Sequence, residues 1–265
     1  MGAIGLALTL FMVLVAVFAP LVAPYDPFFQ FQGQELQAPN ARFLLGTDDI
    51  GRDILSRVIY GARLSLEVGA AAVVLGAVVG VLSGLLSGYF EGWIDGVTMR
   101  LWDSVLAFPP VLVGIVVAAL LGPSTVNVAI ALAIASIPQF ARLTRASALV
   151  EKHKEYVTAA RCLGASHSRI MVRHIFPNTI SPLLVQLAIA MAFAVMLEAG
   201  LSFLGIGAQP PEASWGTMLN RARRFLNAAP WYGVFPGLAL VILLLGLNSL
   251  ADAARTALDP HRRQV

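Results

Sequence analysis

Charge is what this sequence has least of. Only 12% of its 265 residues are Asp, Glu, Lys or Arg, against 58% that are hydrophobic, whereas water-soluble domains average about 25% charged. A single core stops growing beyond about 250–300 residues, so this much apolar side chain has no room inside one soluble globule. The surplus requires lipid. A soluble enzyme, a disordered tail and a disulfide scaffold are excluded. Cysteine is nearly absent: Cys162 stands alone, so no internal disulfide or multi-cysteine metal site can form, and it says nothing firm about redox compartment. Lysine is confined to Lys152 and Lys154, which follow Glu151 and His153. No Gly-x-x-x-x-Gly-Lys-Ser/Thr loop is present to wrap phosphate. His-Glu-x-x-His, an intramembrane histidine and a pair of aspartates deep in the apolar runs are missing too, which counts against zinc, rhomboid-type and aspartyl intramembrane proteases.

What is there falls into uncharged runs: Met1–Tyr25, Val68–Phe90, Ser104–Ala141, His174–Leu197 and Phe225–Ala251. A helix crosses the hydrocarbon with about 20 residues, so four runs hold one helix each. Ser104–Ala141 is too long for one helix and carries Gly122-Pro123-Ser124-Thr125 near its middle, a turn signal that splits it into a helical hairpin. The expected fold class is an all-α membrane protein with six transmembrane helices. A transmembrane barrel would alternate apolar and polar residues, and Val111-Leu112-Val113-Gly114-Ile115-Val116-Val117 does not. The first run lacks a basic flank and Ala19–Pro24 is a poor cleavage site, so a retained helix is expected rather than a signal peptide. With six helices and both termini on one side, Lys and Arg divide 11 to 7, which predicts that both termini and the Leu149–Asn178 loop are cytoplasmic. The expected division is 1–25 for the first helix, 26–63 for an extracytoplasmic segment, 64–260 for a five-helix core containing the 149–178 loop, and 261–265 for a cytoplasmic tail.

That loop is long but patterned. Glu151–Leu163 reads as a helix with Tyr156, Ala159, Ala160 and Leu163 sharing a face. Gly164 interrupts it, Ser166 can cap a second turn bearing Ile170 and Met171, and Pro177-Asn178 ends the element before the next span. The residues alone leave two readings open: a projecting knob for a protein partner, or a basic amphipathic segment lying on anionic headgroups. On the second helix Gly69, Gly76, Gly80, Gly84 and Gly88 recur mostly every four residues, a small-residue stripe for close helix packing in lipid. Pro109-Pro110, Pro138 and Pro236 interrupt helices and are candidate hinges, and Trp231-Tyr232 is expected as an interfacial aromatic anchor.

Several of these segments together resemble a known family. Thr158-Ala159-Ala160-Arg161-Cys162-Leu163-Gly164, followed through Arg173-His174-Ile175-Phe176-Pro177-Asn178, is similar to the EAA loop of ATP-binding-cassette (ABC) importer permeases. Gly164 and Pro177 keep that motif's spacing. Thr158 replaces its acidic residue, while His174 and Phe176 stand at its Ile and Leu positions. The ending His-x-x-Pro-Asn resembles the peptide and nickel branch. So do Leu45-Gly46-Thr47-Asp48-Asp49-Ile50-Gly51-Arg52-Asp53 with Ser56-Arg57 and Gly61-Ala62-Arg63, Glu198–Gly205, Trp215-Gly216, Asp252-Ala253-Ala254-Arg255 and Leu258-Asp259-Pro260. The likeness covers nearly the whole chain and is to dipeptide-permease C-type subunits.

The resemblance implies a type I ABC importer permease (MetI-like) fold and a non-enzymatic subunit of a peptide importer. It implies a homologous permease subunit as heterodimer partner, one or two ATPase subunits that bind ATP and Mg, and an extracytoplasmic substrate-binding protein. Nucleic acid has no part in it, and no cofactor or metal is expected in this chain. Glu155, Tyr156, Ala159, Ala160, Arg161, Gly164, Ala165, Ser166, His174 and Pro177 would form the element that couples to the ATPase. Di- or oligopeptides are the expected substrates, with nickel or another small solute as the alternative. Nickel would call for His or Cys along the path, and the apolar runs offer none. An ion-coupled secondary transporter ranks lower, since no inverted repeat is visible. No span carries a recognisable peptide clamp, which assigns specificity to the binding protein.

An ionisable group within a span is a functional candidate by default. Glu198, with Ser202 one turn on, is a candidate pathway or gate residue. Its alternative is an interfacial carboxylate paired with a loop arginine such as Arg223. Asp103 is expected to pair with Arg100, and Asp252 with Arg255, at i,i+3 spacing. Asp48, Arg52 and Asp53 are candidates for docking the binding protein, or else form a structured element whose charges bond each other. Arg221, Arg223 and Arg224 would meet an acidic patch on that partner, or form a solvated face.

Overall fold

The computed structural model describes residues 2–258, and all regular structure among them is helical. Asp259-Pro260 and the 261–265 tail lie outside the described residues. The chain opens with α1 (Gly2–Val17) and, after a break at Phe18, the short α2 (Ala19–Val22), with Pro20 in its first turn. Residues 23–53 are irregular except for one antiparallel bridge between Thr47 and Asp53. There follow α3 (Ile54–Phe90), α4 (Gly92–Leu106), α5 (Pro110–Leu121), α6 (Thr125–Glu151), α7 (Glu155–Cys162) and α8 (His167–Ile170). A π-helical turn at Met171–Ile175 joins α8 to α9 (Phe176–Phe203). The chain ends with α10 (Trp215–Ala222) and α11 (Trp231–Leu258).

Four helical stretches are long and apolar enough to cross a membrane alone: α3, α6, the continuous run His167–Phe203, and α11. The third expected span differs. Instead of one helix across Ser104–Leu121, α4 and α5 meet at an 89° bend. The cause is Pro109-Pro110. Each proline pushes the residue before it out of the α region and lacks an N–H to donate. The 12 residues of α5 rise only about 18 Å, well short of the ~30 Å hydrocarbon. Pro138 and Pro236, by contrast, sit inside continuous helices.

The expected hairpin after α5 is present. Gly122 takes φ +88°, and the Ser124 side chain caps α6 by accepting from the Asn127 N–H at 3.1 Å. Asn127 returns its side-chain amide to the carbonyls of Leu121 and Gly122.

The α3 glycine stripe packs on α6 at backbone contact. A Cβ at Gly80 would lie 2.6 Å from the Ile137 carbonyl oxygen, and one at Gly88 would lie 2.7 Å from that of Arg145. Gly76 and Gly84 likewise face the Ala133 and Ala141 carbonyls, so the four-residue repeat on α3 meets a four-residue repeat on α6. Gly69 sits against Met191 and Val195 of α9 instead. α1 lies on α11 by the same device, with Gly5 against Ser249 and Gly246 against Thr9.

Candidate functional site

At one end of the bundle, α6, α7 and α9 converge on the loop singled out from the sequence. The α7 helix ends as a Schellman motif: the Gly164 N–H donates to the Arg161 carbonyl and the Ala165 N–H to that of Ala160, at 3.0 and 3.1 Å. Only a left-handed residue closes this turn readily, and Gly164 has φ +77°. Ser166 then caps α8, its hydroxyl accepting from the Arg169 N–H at 3.4 Å. Val157 and Ala160 are both buried, Val157 in one cluster with Ile170 and Ile175, so Ala160 leaves the face it was expected to share. Tyr156, Ala159 and Leu163 are exposed, as are Glu155, Arg161 and Gly164, with Ala165 half-buried. Helix α7 begins at Glu155, because Lys152–Lys154 form a turn after α6.

Pro177 does not end the element as expected. It occupies the first turn of α9, where a missing N–H costs least, and the π turn before it keeps the helix continuous from His167 to Phe203.

A hydrogen-bond hub invisible in the motif holds α7 to both long helices. The Tyr156 hydroxyl donates to Glu151 at the end of α6 at 2.5 Å and lies 3.2 Å from the His174 carbonyl. The Asn178 side-chain amide on α9 donates to that carbonyl at 2.7 Å and to the Tyr156 oxygen at 3.1 Å. Partial desolvation of the hydroxyl within the hub and the adjacent Glu151 carboxylate push Tyr156 up to about 12, so it remains a donor at any physiological pH. Lys154 closes the hub with an ion pair to Glu151 at 2.6 Å. Nearby, Lys152 pairs with Glu91, and the Tyr89 hydroxyl meets His167 Nδ1 at 2.7 Å.

The Tyr156→Phe variant is expected to loosen this anchorage by about 1 kcal/mol. Amide exchange over residues 155–163 would speed up while the rest of the chain stays protected. Unchanged exchange there would remove the hub's structural importance.

The opposite end holds the other candidates, and here the structure corrects several expectations. Asp48, Arg52 and Asp53 are 0, 3 and 1% exposed, so their side chains are not available to a docking partner. They bond each other and the local backbone instead. Asp48 accepts from Arg52 Nε at 2.7 Å and from the Ile50 and Arg52 N–H groups. The Arg57 Nε lies 3.7 Å from the same carboxylate, while its Nη1 and Nη2 donate to the carbonyls of Pro27 and Glu212. Asp53 caps α3, accepting from the Ser56 N–H at 2.8 Å and hydroxyl at 2.7 Å. Arg221 is 3.6 Å from Asp49, whereas Arg223 and Arg224 are exposed. Tyr232 is fully buried and donates to Asp49 at 3.0 Å, so it locks the 23–53 segment to α11 rather than anchoring in an interface.

Glu198 does not pair with Arg223, whose guanidinium lies over the Phe203 ring at 6.0 Å. Its carboxylate, 1% exposed, accepts from three serines on three elements: Ser65 at 2.8 Å, Ser202 at 2.8 Å and Ser214 at 3.0 Å. Ser202 also accepts from the Ala208 N–H at 3.1 Å. Asp103 pairs with Arg142 of α6 at 2.6 Å, not with Arg100. Asp252 and Arg255 form no mutual ion pair among the described residues. An unexpected pair joins α4 to α6, Asp95 to Arg145 at 2.5 and 2.6 Å.

The family described as "Binding-protein-dependent transport system inner membrane component" matches residues 76–264. The chain belongs to that family. Its first 39 residues match the N-terminal TM domain of oligopeptide transport permease C. Among curated relatives, the dipeptide transport system permease protein DppC of Escherichia coli (strain K12) is 48% identical over 98% of this chain and 89% of its own length. The di/tripeptide transport system permease protein DppC of Pseudomonas aeruginosa (strain UCBPP-PA14) is 45% identical over 98% and 88%. Among solved structures, the MetNI methionine ABC transporter shares the fold at TM-score 0.64 and 16% identity, over 78% of this chain and 98% of that one. An amino acid ABC transporter follows at 0.59 and 18%, over 77% and 94%.

Family and fold agree on a type I ABC importer permease. The chain is a multi-pass membrane subunit of such an importer and not an enzyme. Family membership implies that it works with ATPase and binding-protein partners.

Proposed function

We propose that this chain is the C-type permease of a di- or oligopeptide importer. In this reading it pairs with a homologous permease subunit, and the two enclose the translocation pathway. ATP and Mg are bound by one or two partner ATPase subunits, and peptides arrive from an extracytoplasmic binding protein. Both termini and the loop carrying α7 are cytoplasmic. The peptide assignment is supported by relatives at 45 and 48% identity that are themselves named di/tripeptide and dipeptide permeases.

The observation that carries the coupling role is the α7 knob. It presents Tyr156, Ala159 and Leu163 outward, with Leu163 88% exposed, while its base is bonded to α6 and α9 together. A load on the knob would therefore reach two long helices at once. Arg223 and Arg224, exposed at the far end, are the basic groups best placed to meet the binding protein. Glu198 and Ser202 act in this reading as a buried clasp joining α3, α9 and the approach to α10, and so set the shape of the outer half rather than touch substrate.

A Gly164→Trp variant tests the coupling role. Among the described residues, nothing beyond its chain neighbours lies within 4 Å of a Cβ at Gly164, so the change obstructs what docks there and otherwise costs about 1–2 kcal/mol of left-handed strain. The expected result is a complex with normal membrane levels of this subunit whose peptide uptake falls at least about tenfold, the equivalent of 1.4 kcal/mol of coupling. Normal uptake would overturn the coupling role. Nickel uptake without peptide uptake by the unaltered complex would overturn the substrate.

A further inference from the structure

Between the two ends lies a polar contact that neither the charge pattern nor the motifs announce. Gln186 of α9 donates its Nε2 to Oε1 of Gln139 on α6 at 2.9 Å. Gln139 stands near the middle of the 27-residue α6 and is exposed, while Gln186 is half-buried. Each carboxamide offers two N–H donors and a carbonyl acceptor with two lone pairs, and among the described residues the pair makes no hydrogen bond besides this one. The remaining donors and acceptors would be costly to leave against hydrocarbon.

The surroundings point to water rather than lipid. One turn along α6 from Gln139 comes Arg142, whose ion pair with Asp103 of α4 is 55 and 53% exposed. Gln186, Gln139, Arg142 and Asp103 therefore form a polar strip running from mid-helix toward the α7 end. By contrast, the exposed face of α3 carries Val74, Val78 and Leu82, the chemistry expected of a lipid-facing surface.

We infer that Gln139 and Gln186 form a peptide-bond binding site in the wall of the translocation pathway. The inference rests on the peptide-importer reading and deepens it. A secondary amide has one N–H and one C=O, and the pair can answer both. Gln186 Oε1 accepts the peptide N–H while Gln139 Nε2 donates to the peptide carbonyl. Such a site reads the backbone and ignores side chains, which suits a pathway that passes many sequences already selected by a binding protein. It adds a recognition step within this chain, where the apolar runs alone showed no clamp.

The test uses the complete complex, with its binding protein, reconstituted in vesicles and supplied with alanylalanine or the analogue methylated on the peptide nitrogen. Methylation removes the N–H the site would accept. The ratio of uptake of the two peptides is compared between the unaltered complex and the Gln139→Leu/Gln186→Leu variant. Preference contributed by the binding protein is common to both and cancels. The ratio is expected to fall at least about tenfold in the variant, the loss of a hydrogen bond worth roughly 1.4 kcal/mol, and the conservative Gln139→Asn/Gln186→Asn variant should keep part of it. An unchanged ratio overturns the site. If the unaltered complex imports neither peptide, the peptide-importer reading fails with it.

A second measurement does not depend on the leucine variant folding. In a Cys162→Ser background, Gln139→Cys in the assembled complex should react with a membrane-impermeant thiol reagent, and alanylalanine should slow that reaction. No labelling, with cross-linking of the new cysteine to the partner permease instead, would show a subunit contact and overturn the proposal.

Discussion

The Asp48→Ala variant should fail to accumulate in the membrane. The side chains of Arg52 and Arg57 are 4 and 3% exposed, and Asp48 is the carboxylate that both approach, at 2.7 and 3.7 Å. Removing one partner of a buried ionic cluster costs about 3–5 kcal/mol, because the charges left behind are neither paired nor hydrated. Set against a typical total stability of about 5–15 kcal/mol, the loss is severe. It would be felt beyond the 23–53 segment, since Arg57 also binds the carbonyls of Pro27 and Glu212. Arg224→Ala, at an exposed position, is the control and should fall within about 0.5 kcal/mol of the parent. The measurement is folded yield with thermal unfolding in detergent. Equal melting of the Asp48 and Arg224 variants would show that the cluster does not hold this end together.

Gly84→Leu is expected to be as damaging by a different route. An added Cβ at Gly84 would lie 3.0 Å from both Cα and the carbonyl carbon of Ala141, and closer still to its oxygen. The obstacle is backbone, so no rotamer change relieves it. Helices α3 and α6 must move apart along the whole stripe. In lipid the attraction between helices is mainly close van der Waals packing, and overpacking a well-filled contact costs about 1–3 kcal/mol before the loss of neighbouring contacts is added. Gly96→Leu is the matched control, because among the described residues nothing outside its own helical turn lies within 4 Å of its Cβ position. The subunit should be lost from purified complexes in the first variant and retained in the second. Recovery of the Gly84 variant at parental levels would mean that α3 and α6 can separate without penalty.

These two variants divide along the same line as legibility itself. The Gly84 contact could be read from the chain because a four-residue repeat of small residues is a local pattern, and the partner helix answers with its own four-residue repeat of carbonyls. The same holds for the Gly122 hairpin, the Gly164 turn and the Ser166 cap, each set by φ preference or a capping hydroxyl within a few residues. The charge partners were not legible. Asp103 has Arg100 one turn away but bonds Arg142, 39 positions along the chain, because α4 packs against α6. Glu198 has arginines in the next loop but receives Ser65, Ser202 and Ser214. Hydroxyls and carboxamides carry no charge, so of these partners only Ser202, one turn from Glu198, is legible along the chain, and Gln139 and Gln186 are not.

Scarcity of charge, the glycine repeat and the co-linear motifs determined by themselves that this chain is helical, lies in lipid and belongs among ABC importer permeases. Hydrophobic run length and backbone preference act over a few residues and need no neighbour. Only the tertiary structure decided which polar groups are hidden and which are offered. It buried Asp48, Arg52 and Asp53 and turned Ala160 inward. It left Leu163 exposed and set two glutamines from separate helices side by side. Desolvation and pairing depend on distance in space, and folding alone brings residues 47 positions apart to within hydrogen-bonding reach.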